Sequence, residues 1–593
     1  MKHQINSKIS LVLIAFMVVL SSTGCKLFRK SPAVNAGVEQ VHTETVKEAT
    51  KEDARDLKGY RNGMVVSAHP IASEVGLSVL KKGGNAVDAA VAVQFALAVV
   101  YPNAGNLGGG GFLVYRSASG DIASLDFREK APGEAYRDMY LDMHGEPIVD
   151  LSLRGQLASG VPGSVDGMVK AHQKYGKLSW KELIQPAIDL ASKGFPLTAM
   201  QAREFNSRRD NFLKYNPEGT AFTSTENWSG GDIFVQLELA HTLELIRDHG
   251  RDGFYGGETA EKIVAEMKSG NGLINLQDLR DYEAQWRKPV VGSYRGYKII
   301  SMPPPSSGGI ALLQLLHSVE AFPLKKWGFQ SDSTAQVMIE AERRVYADRS
   351  EHLGDPDFYN VPGDQLINIK YNAIRMSDMN FNQATPSSSI QAGSVSTPVE
   401  SEETTHFSIV DKEGNAVSLT TTLNGSYGSQ VVVSGAGFLL NNEMDDFSVK
   451  PGAPNMFGLT GGVANSIEPG KRMLSSMTPT IVENDGQLFM VVGTPGGSTI
   501  ITSVFQTILN VIDWGMGMQE AVDAPRFHHQ WLPDQVDAEA AAFTPEIRAR
   551  LDQKGYKIQD RGSIGRVDAI LVSEDGILTG GADPRGDDKA VGY

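Results

Sequence analysis

Apolar positions along this chain fall into short alternating runs and one long continuous run, and each predicts a different element. Thr405 to Val410 and Ala416 to Thr422 are dense in β-branched and aromatic residues, and Glu413-Gly414-Asn415 supplies turn chemistry between them. That pattern predicts a β-hairpin. Ile122 to Phe127 alternates as a strand does, and Leu488 to Val492 reads as another. Asn85 to Val100 is almost wholly apolar, with Asn85 as N-cap, Asp88 near the first turn and Pro102 beyond the end. It predicts a buried helix; at about 16 residues, interrupted by Asp88 and Gln94, it is not a membrane span. Gly105 to Gly111 (GNLGGGG) lacks the Gly-Lys-Ser/Thr of a phosphate loop and predicts a close approach of two backbones. Gln383 to Glu403 is Ser/Thr/Pro-rich without an apolar period and reads as a loop.

A different pattern opens the chain. Lys2, His3 and Lys8 precede an apolar run from Ile9 to Leu20, followed by Ser21-Ser22-Thr23-Gly24-Cys25. A run of about 12 residues is a signal-peptide core rather than a span. Cys25 is the single cysteine, so no intrachain disulfide is expected. It resembles the lipid-modified cysteine of a bacterial lipoprotein signal, although Ser22 stands where that pattern usually has leucine. The expectation is a signal peptide over residues 1–24, lipidation at Cys25 and a polar tether over 25–57. The protein is then exported and lipid-anchored at the cell envelope, at the outer membrane/periplasm if the cell has an outer membrane, with a plain secreted periplasmic protein as the alternative.

The hairpin carries the chemistry. Thr404 heads its first strand and faces Leu423 if the loop holds two residues, or Thr422 if it holds three. A threonine hydroxyl is a weak nucleophile until a base takes its proton, and the α-amine of an N-terminal threonine is such a base. That amine titrates near ~8, against about 10.4 for a lysine, so a far larger fraction of it is available as base near neutral pH. Thr404 is internal, so the Glu403–Thr404 bond must break first, by attack of the threonine's own hydroxyl on the preceding carbonyl. His406 shares Thr404's strand face by the two-residue period. It reads as a packed histidine, since the α-amine already fills the base role.

Several segments in order along the chain resemble the γ-glutamyltranspeptidase (glutathione hydrolase) family of N-terminal-nucleophile hydrolases, from about residue 58 to Tyr593. They are GGNAVDAAVAV (83–93), AGNLGGGGF (104–112), LDFREKAP (125–132), the Thr404-Thr405-His406 hairpin, LLNNEMDDFS (439–448), RMLSSMTPT (472–480), GTPGGS (493–498) and APRFHHQWLPD (524–534). The resemblance implies an α/β (α+β) fold, a four-layer αββα sandwich self-cleaved into a large subunit, 58–403, and a small subunit, 404–593, that stay together as a heterodimer. A soft length prior would allow about four domains; the family implies one interlocked unit.

It also implies roles. Thr404 is the nucleophile, and Thr422 orients it and assists maturation. Gly496 and Gly497 form the oxyanion hole, although by themselves they read as the loop after Leu488 to Val492. Arg128 takes the substrate's α-carboxylate with Ser475 and Ser476; its position equally suits a structural ion pair with Glu129 or Asp126. Asn424, Glu443 and Asp446 accept from the α-ammonium, although Asp445-Asp446 alone reads as a solvated turn. The implied reaction moves a γ-glutamyl group from glutathione or related γ-glutamyl compounds to water, or to an acceptor amino acid or dipeptide. Lys450 to Gly470 reads as a Gly/Pro loop where the family often has a lid, with Phe457 where many members carry tyrosine.

Composition narrows the classes further. The chain has 593 residues, 41% apolar and 21% charged, enough for a large core. Its 70 acidic and 55 basic residues give a net charge of −15, which argues against nucleic acid as a partner. His528-His529 does not have metal-ligand spacing, so no metal or other cofactor is expected. Two alternatives stay open: a related amidase of the cephalosporin-acylase or polyglutamate-processing kind, and a non-catalytic surface-binding lipoprotein.

Overall fold

Strand alternation decides how this fold is layered, because successive side chains must serve two different faces. The computed structural model describes residues 59–393, 404–450 and 463–593. The expected signal peptide and tether, Cys25, Glu403 and Phe457 lie outside the described residues. Two antiparallel sheets carry the fold. Their strands, in chain order, are Met64–Ser67 (β1), Gly110–Arg116 (β2), Ile122–Asp126 (β3), Gln285–Arg287 (β4), Val290–Tyr294 (β5), Tyr297–Ser301 (β6), Thr405–Val410 (β7), Ala416–Thr422 (β8), Thr480–Asn484 (β9), Gln487–Gly493 (β10), Asp568–Val572 (β11), Leu578–Gly581 (β12) and Lys589–Gly592 (β13). The first sheet runs β13-β1-β7-β8-β2-β3-β4 and the second β12-β11-β10-β9-β6-β5.

In β7, Phe407 and Ile409 join one core with Val417, Leu419 and the helices Pro70–Lys81 (α1) and Ala86–Val100 (α2). The alternate residue Val410 joins a second core, in which Met64, Val66, Phe112 and Val114 meet Ile300, Ile481, Val491 and Ile570 of the other sheet. The outer face of that sheet, with Ile299, Val482, Met490 and Val492, packs on Gly308–Val319 (α3), Asp332–His352 (α4) and Ser498–Ile512 (α5). The order is therefore helix, sheet, sheet, helix. α2 lies fully buried, which is why its sequence is apolar all round. A reciprocal cap starts it: Asn85 Oδ1 accepts the Asp88 N–H at 2.9 Å, and Asp88 Oδ2 accepts the Asn85 N–H at 3.0 Å.

The sheets interleave residues from before and after position 404. β7 and β8 lie between β1 and β2, β13 pairs with β1, and β9 pairs with β6. Two chains made by a cut before Thr404 would remain joined by these ladders.

Candidate active site

The hairpin register fixes the site. Thr405 pairs with Thr421, so Thr404 stands one step further, opposite Thr422. The loop holds three residues, Lys412-Glu413-Gly414, with Gly414 at φ 89°. Asn415, expected in the turn, instead closes the ladder: its carbonyl accepts the Asp411 N–H at 3.0 Å and its side-chain amide donates to Asp411 Oδ2 at 2.7 Å. Thr404 is buried, at 5% exposure. Thr422 Oγ1 accepts the Asn424 N–H at 2.8 Å, and Thr422's carbonyl accepts from Asn106 Nδ2 at 2.8 Å. The glycine run acts here. A Cβ on Gly109 would lie 2.0 Å from Thr422 O, and one on Gly111 2.4 Å from Thr420 O. Only glycine lets that backbone lie so close to the strand opposite Thr404.

His406 lies on the inter-sheet face with Thr404 and is fully buried. Its Nδ1 lies 2.9 Å from Thr420 Oγ1 and its Nε2 3.1 Å from Ser408 Oγ. A Cβ on Gly493 would come within 2.3 Å of the ring, so the imidazole packs directly on that backbone. Burial pushes its pKa down to about 3. A neutral, doubly hydrogen-bonded ring at this depth is a packing element.

Arg128 follows the end of β3, and its N–H donates to Asp126 Oδ1 at 3.0 Å. Nη1 stands 2.7 Å from Glu443 Oε2, off hydrogen-bonding geometry, and 3.6 Å from Glu129 Oε2. Nη2 pairs with Asp446. Arg128 also reaches backbone carbonyls, Nε to Met473 at 3.4 Å and Nη2 to Leu474 at 3.2 Å. The residues expected to grip opposite ends of an amino acid thus meet one another. Burial drives the Glu443 carboxyl well above its ordinary range and lifts Glu129 in the same direction, with Arg128 opposing both. Asn424, at φ 70°, donates from Nδ2 to Asn442 O at 2.9 Å.

Ser475 and Ser476 are buried beside this cluster. Ser475 Oγ accepts the Met477 N–H at 3.2 Å, and Ser476 Oγ accepts from Arg349 Nη2 at 3.0 Å. Among the described residues neither hydroxyl donates, so both protons are available to an anion. Asp445 points elsewhere, accepting from Ser152 Oγ at 2.6 Å.

Gly496, at φ 131°, and Gly497, at φ 55°, connect β10 to the start of α5. Their carbonyls accept from Thr499 N at 3.1 Å and Ile500 N at 2.9 Å, while their own N–H groups donate to nothing among the described residues. Two such donors at a helix N-terminus suit a developing oxyanion.

Reading the sequence alone missed Arg349 and Asn106. Arg349 had no local signal, and Asn106 was visible only as one member of the glycine-rich run. His528 and His529 are buried; His528 Nδ1 lies 2.9 Å from Thr502 Oγ1, and His529 Nε2 3.4 Å from Asp534 Oδ1.

Known proteins align with this geometry. The family described as Gamma-glutamyltranspeptidase matches residues 72–593. The glutathione hydrolase proenzyme of Escherichia coli K12 is 48% identical over 566 residues, covering 95% of each chain. A cephalosporin acylase from Bacillus halodurans superposes with TM-score 0.81 at 27% identity, over 91% of this chain and 97% of that one. A Helicobacter pylori gamma-glutamyltranspeptidase chain is 48% identical with TM-score 0.56, over 57% of this chain and 97% of its own. The register at Thr404, the charged cluster at Arg128 and this extent of similarity agree, and the chain belongs to the gamma-glutamyltranspeptidase family.

Proposed function

We propose that Thr404, freed as an amino terminus, transfers the γ-glutamyl group of glutathione and related amides to water or to an amino acid or dipeptide acceptor. The observation that carries this reading is the Thr404–Thr422 register beside a cluster holding Arg128, Glu443 and Asp446. Maturation begins when Thr404 Oγ attacks the Glu403 carbonyl; the resulting ester is hydrolysed by water. Thr422 orients the hydroxyl. The α-amine then takes the Thr404 proton as Oγ attacks the substrate's γ-carbonyl. The Gly496 and Gly497 N–H groups hold the oxyanion, a contribution of roughly 3–4 kcal/mol for one good donor. The leaving amine collects the proton, and water or an acceptor amine resolves the acyl ester. At the other end, Arg128, Ser475 and Ser476 receive the α-carboxylate, and Glu443, Asp446 and Asn424 the α-ammonium.

The large subunit of this reading is 58–403 and the small subunit 404–593, held together as a heterodimer by the shared ladders. The same proposal anchors the protein at the cell envelope through lipid on Cys25, because two acyl chains are enough for stable attachment. Purified protein incubated with γ-glutamyl para-nitroanilide should release the anilide, faster with glycylglycine. Thr404→Ala should run as one uncut chain and release none. Two bands from that variant on a denaturing gel, or release by the uncut chain, would reject the assignment.

A further inference from the structure

Arg349 is buried at 1% exposure near the end of α4, far in sequence from every residue assigned above. Its Nε donates to Ser307 Oγ at 2.9 Å and its Nη2 to Ser476 Oγ at 3.0 Å. Ser307 Oγ donates in turn to Ser475 O at 2.7 Å, and the same carbonyl accepts the Ser307 N–H at 2.6 Å. Ser475 N donates to Pro305 O at 2.9 Å. Arg128 holds the carbonyls of Met473 and Leu474. The Met473–Ser476 segment is thus held by two guanidinium groups.

A hydroxyl carries one proton. Because Arg349 fills an acceptor site on Ser476 Oγ, that oxygen's own proton is turned away from the guanidinium and can be used only by an acceptor. The cation also polarises the O–H and adds positive potential. We infer that Arg349 is a positioning residue that makes Ser476 an obligate donor to the substrate's α-carboxylate. It acts through the Ser476 hydroxyl, without touching substrate. This rests on the carboxylate reading of Arg128, Ser475 and Ser476.

The test compares two anilides that differ in one group, γ-glutamyl para-nitroanilide and γ-aminobutyryl para-nitroanilide, which lacks the α-carboxylate. For Arg349→Met the preference for the γ-glutamyl compound should fall roughly 10–100-fold, the range one hydrogen bond to a charged group covers. The fall should appear in KM with kcat nearly unchanged, and the γ-aminobutyryl rate should hardly move. In a Ser476→Ala background the same substitution should add nothing to the loss of preference, and Arg349→Lys should restore part of it. If Arg349→Met does not mature, Ser307→Ala, which removes the tether on Arg349 Nε, should give an intermediate loss. Equal falls on both anilides, or additivity with Ser476→Ala, would overturn the inference. A wild-type enzyme indifferent to the carboxylate would instead overturn the underlying reading.

Discussion

His406→Gln separates two roles that lie on one strand face, base and packing. The ring bridges Thr420 and Ser408 and lies against Gly493, so its replacement should leave at least one buried hydroxyl poorly matched. The expected cost is about 1–3 kcal/mol of stability at neutral pH. Burial holds the ring at about 3, below the ordinary value of about 6.5. Folded protein keeps it neutral while the unfolded chain takes up a proton, so its contribution is whole above pH ~6.5 and is lost as pH falls toward ~3. The glutamine variant carries no such linkage. Its stability deficit should therefore shrink by about 1.4 kcal/mol for each pH unit below ~6.5. Denaturant unfolding near pH ~7.5 and ~5.5 reads that difference directly. On activity the expectation is small: kcat/KM within about threefold, with the acidic limb still near ~8 where the α-amine titrates. A loss of about 10²–10⁴, the worth of a general base, together with a displaced limb would refute the packing role.

Thr422→Val keeps the branched shape but removes the acceptor of the Asn424 N–H and the hydroxyl opposite Thr404. Self-cleavage should slow by at least about tenfold, as expected for losing one orienting hydrogen bond, read from the appearance of two bands with time. Gly496→Ala forces a side chain at φ 131° and sets its Cβ 2.6 Å from Thr499 Oγ1. Displacing that donor should cost about 10²–10³ in kcat with a smaller change in KM; an unchanged kcat would exclude this loop as the oxyanion site.

Much of the hairpin was legible because strand period and turn chemistry are local. Its register was narrowed to two alternatives, and Asn415 decided between them by joining the ladder rather than the turn. The glycine run announced a close approach without naming its partner; the carbonyls of Thr422 and Thr420 lie more than 300 residues away. The charged cluster was legible as a set of types but not as a set of contacts. Arg128 and Asp446 are 318 positions apart, and nothing in either segment says that they pair before substrate arrives. Arg349 was hidden for a different reason. α4 buries Glu340, Glu342, Arg343, Arg344, Asp348 and Arg349 together, so a run that would ordinarily mark a solvated helix face is internal here. Partners on other elements, such as Thr385 N on Glu340 and Ser476 on Arg349, make that burial possible.

The pairing of Arg128 with Glu443 and Asp446 also bears on how one fold serves different acyl groups. The backbone superposes on a cephalosporin acylase with TM-score 0.81, so the architecture does not by itself choose the substrate. The buried charges can. A ligand bearing both an α-carboxylate and an α-ammonium gives Arg128 an anion and gives Glu443 and Asp446 a cation, so the contacts they make with one another are replaced on both sides. A ligand with only a carboxylate would draw Arg128 away and strand two acidic side chains that are 0–3% exposed. Breaking a buried pair in that way costs about 3–5 kcal/mol, enough to lower occupancy more than a hundredfold. Glu443, whose carboxyl burial already drives toward the protonated form, would take up a proton and reduce that cost, at the expense of a pH-dependent affinity. Selectivity for the amino acid head is therefore a property of the whole cluster: each acidic group raises the requirement for a cation, and Arg128 raises the requirement for an anion.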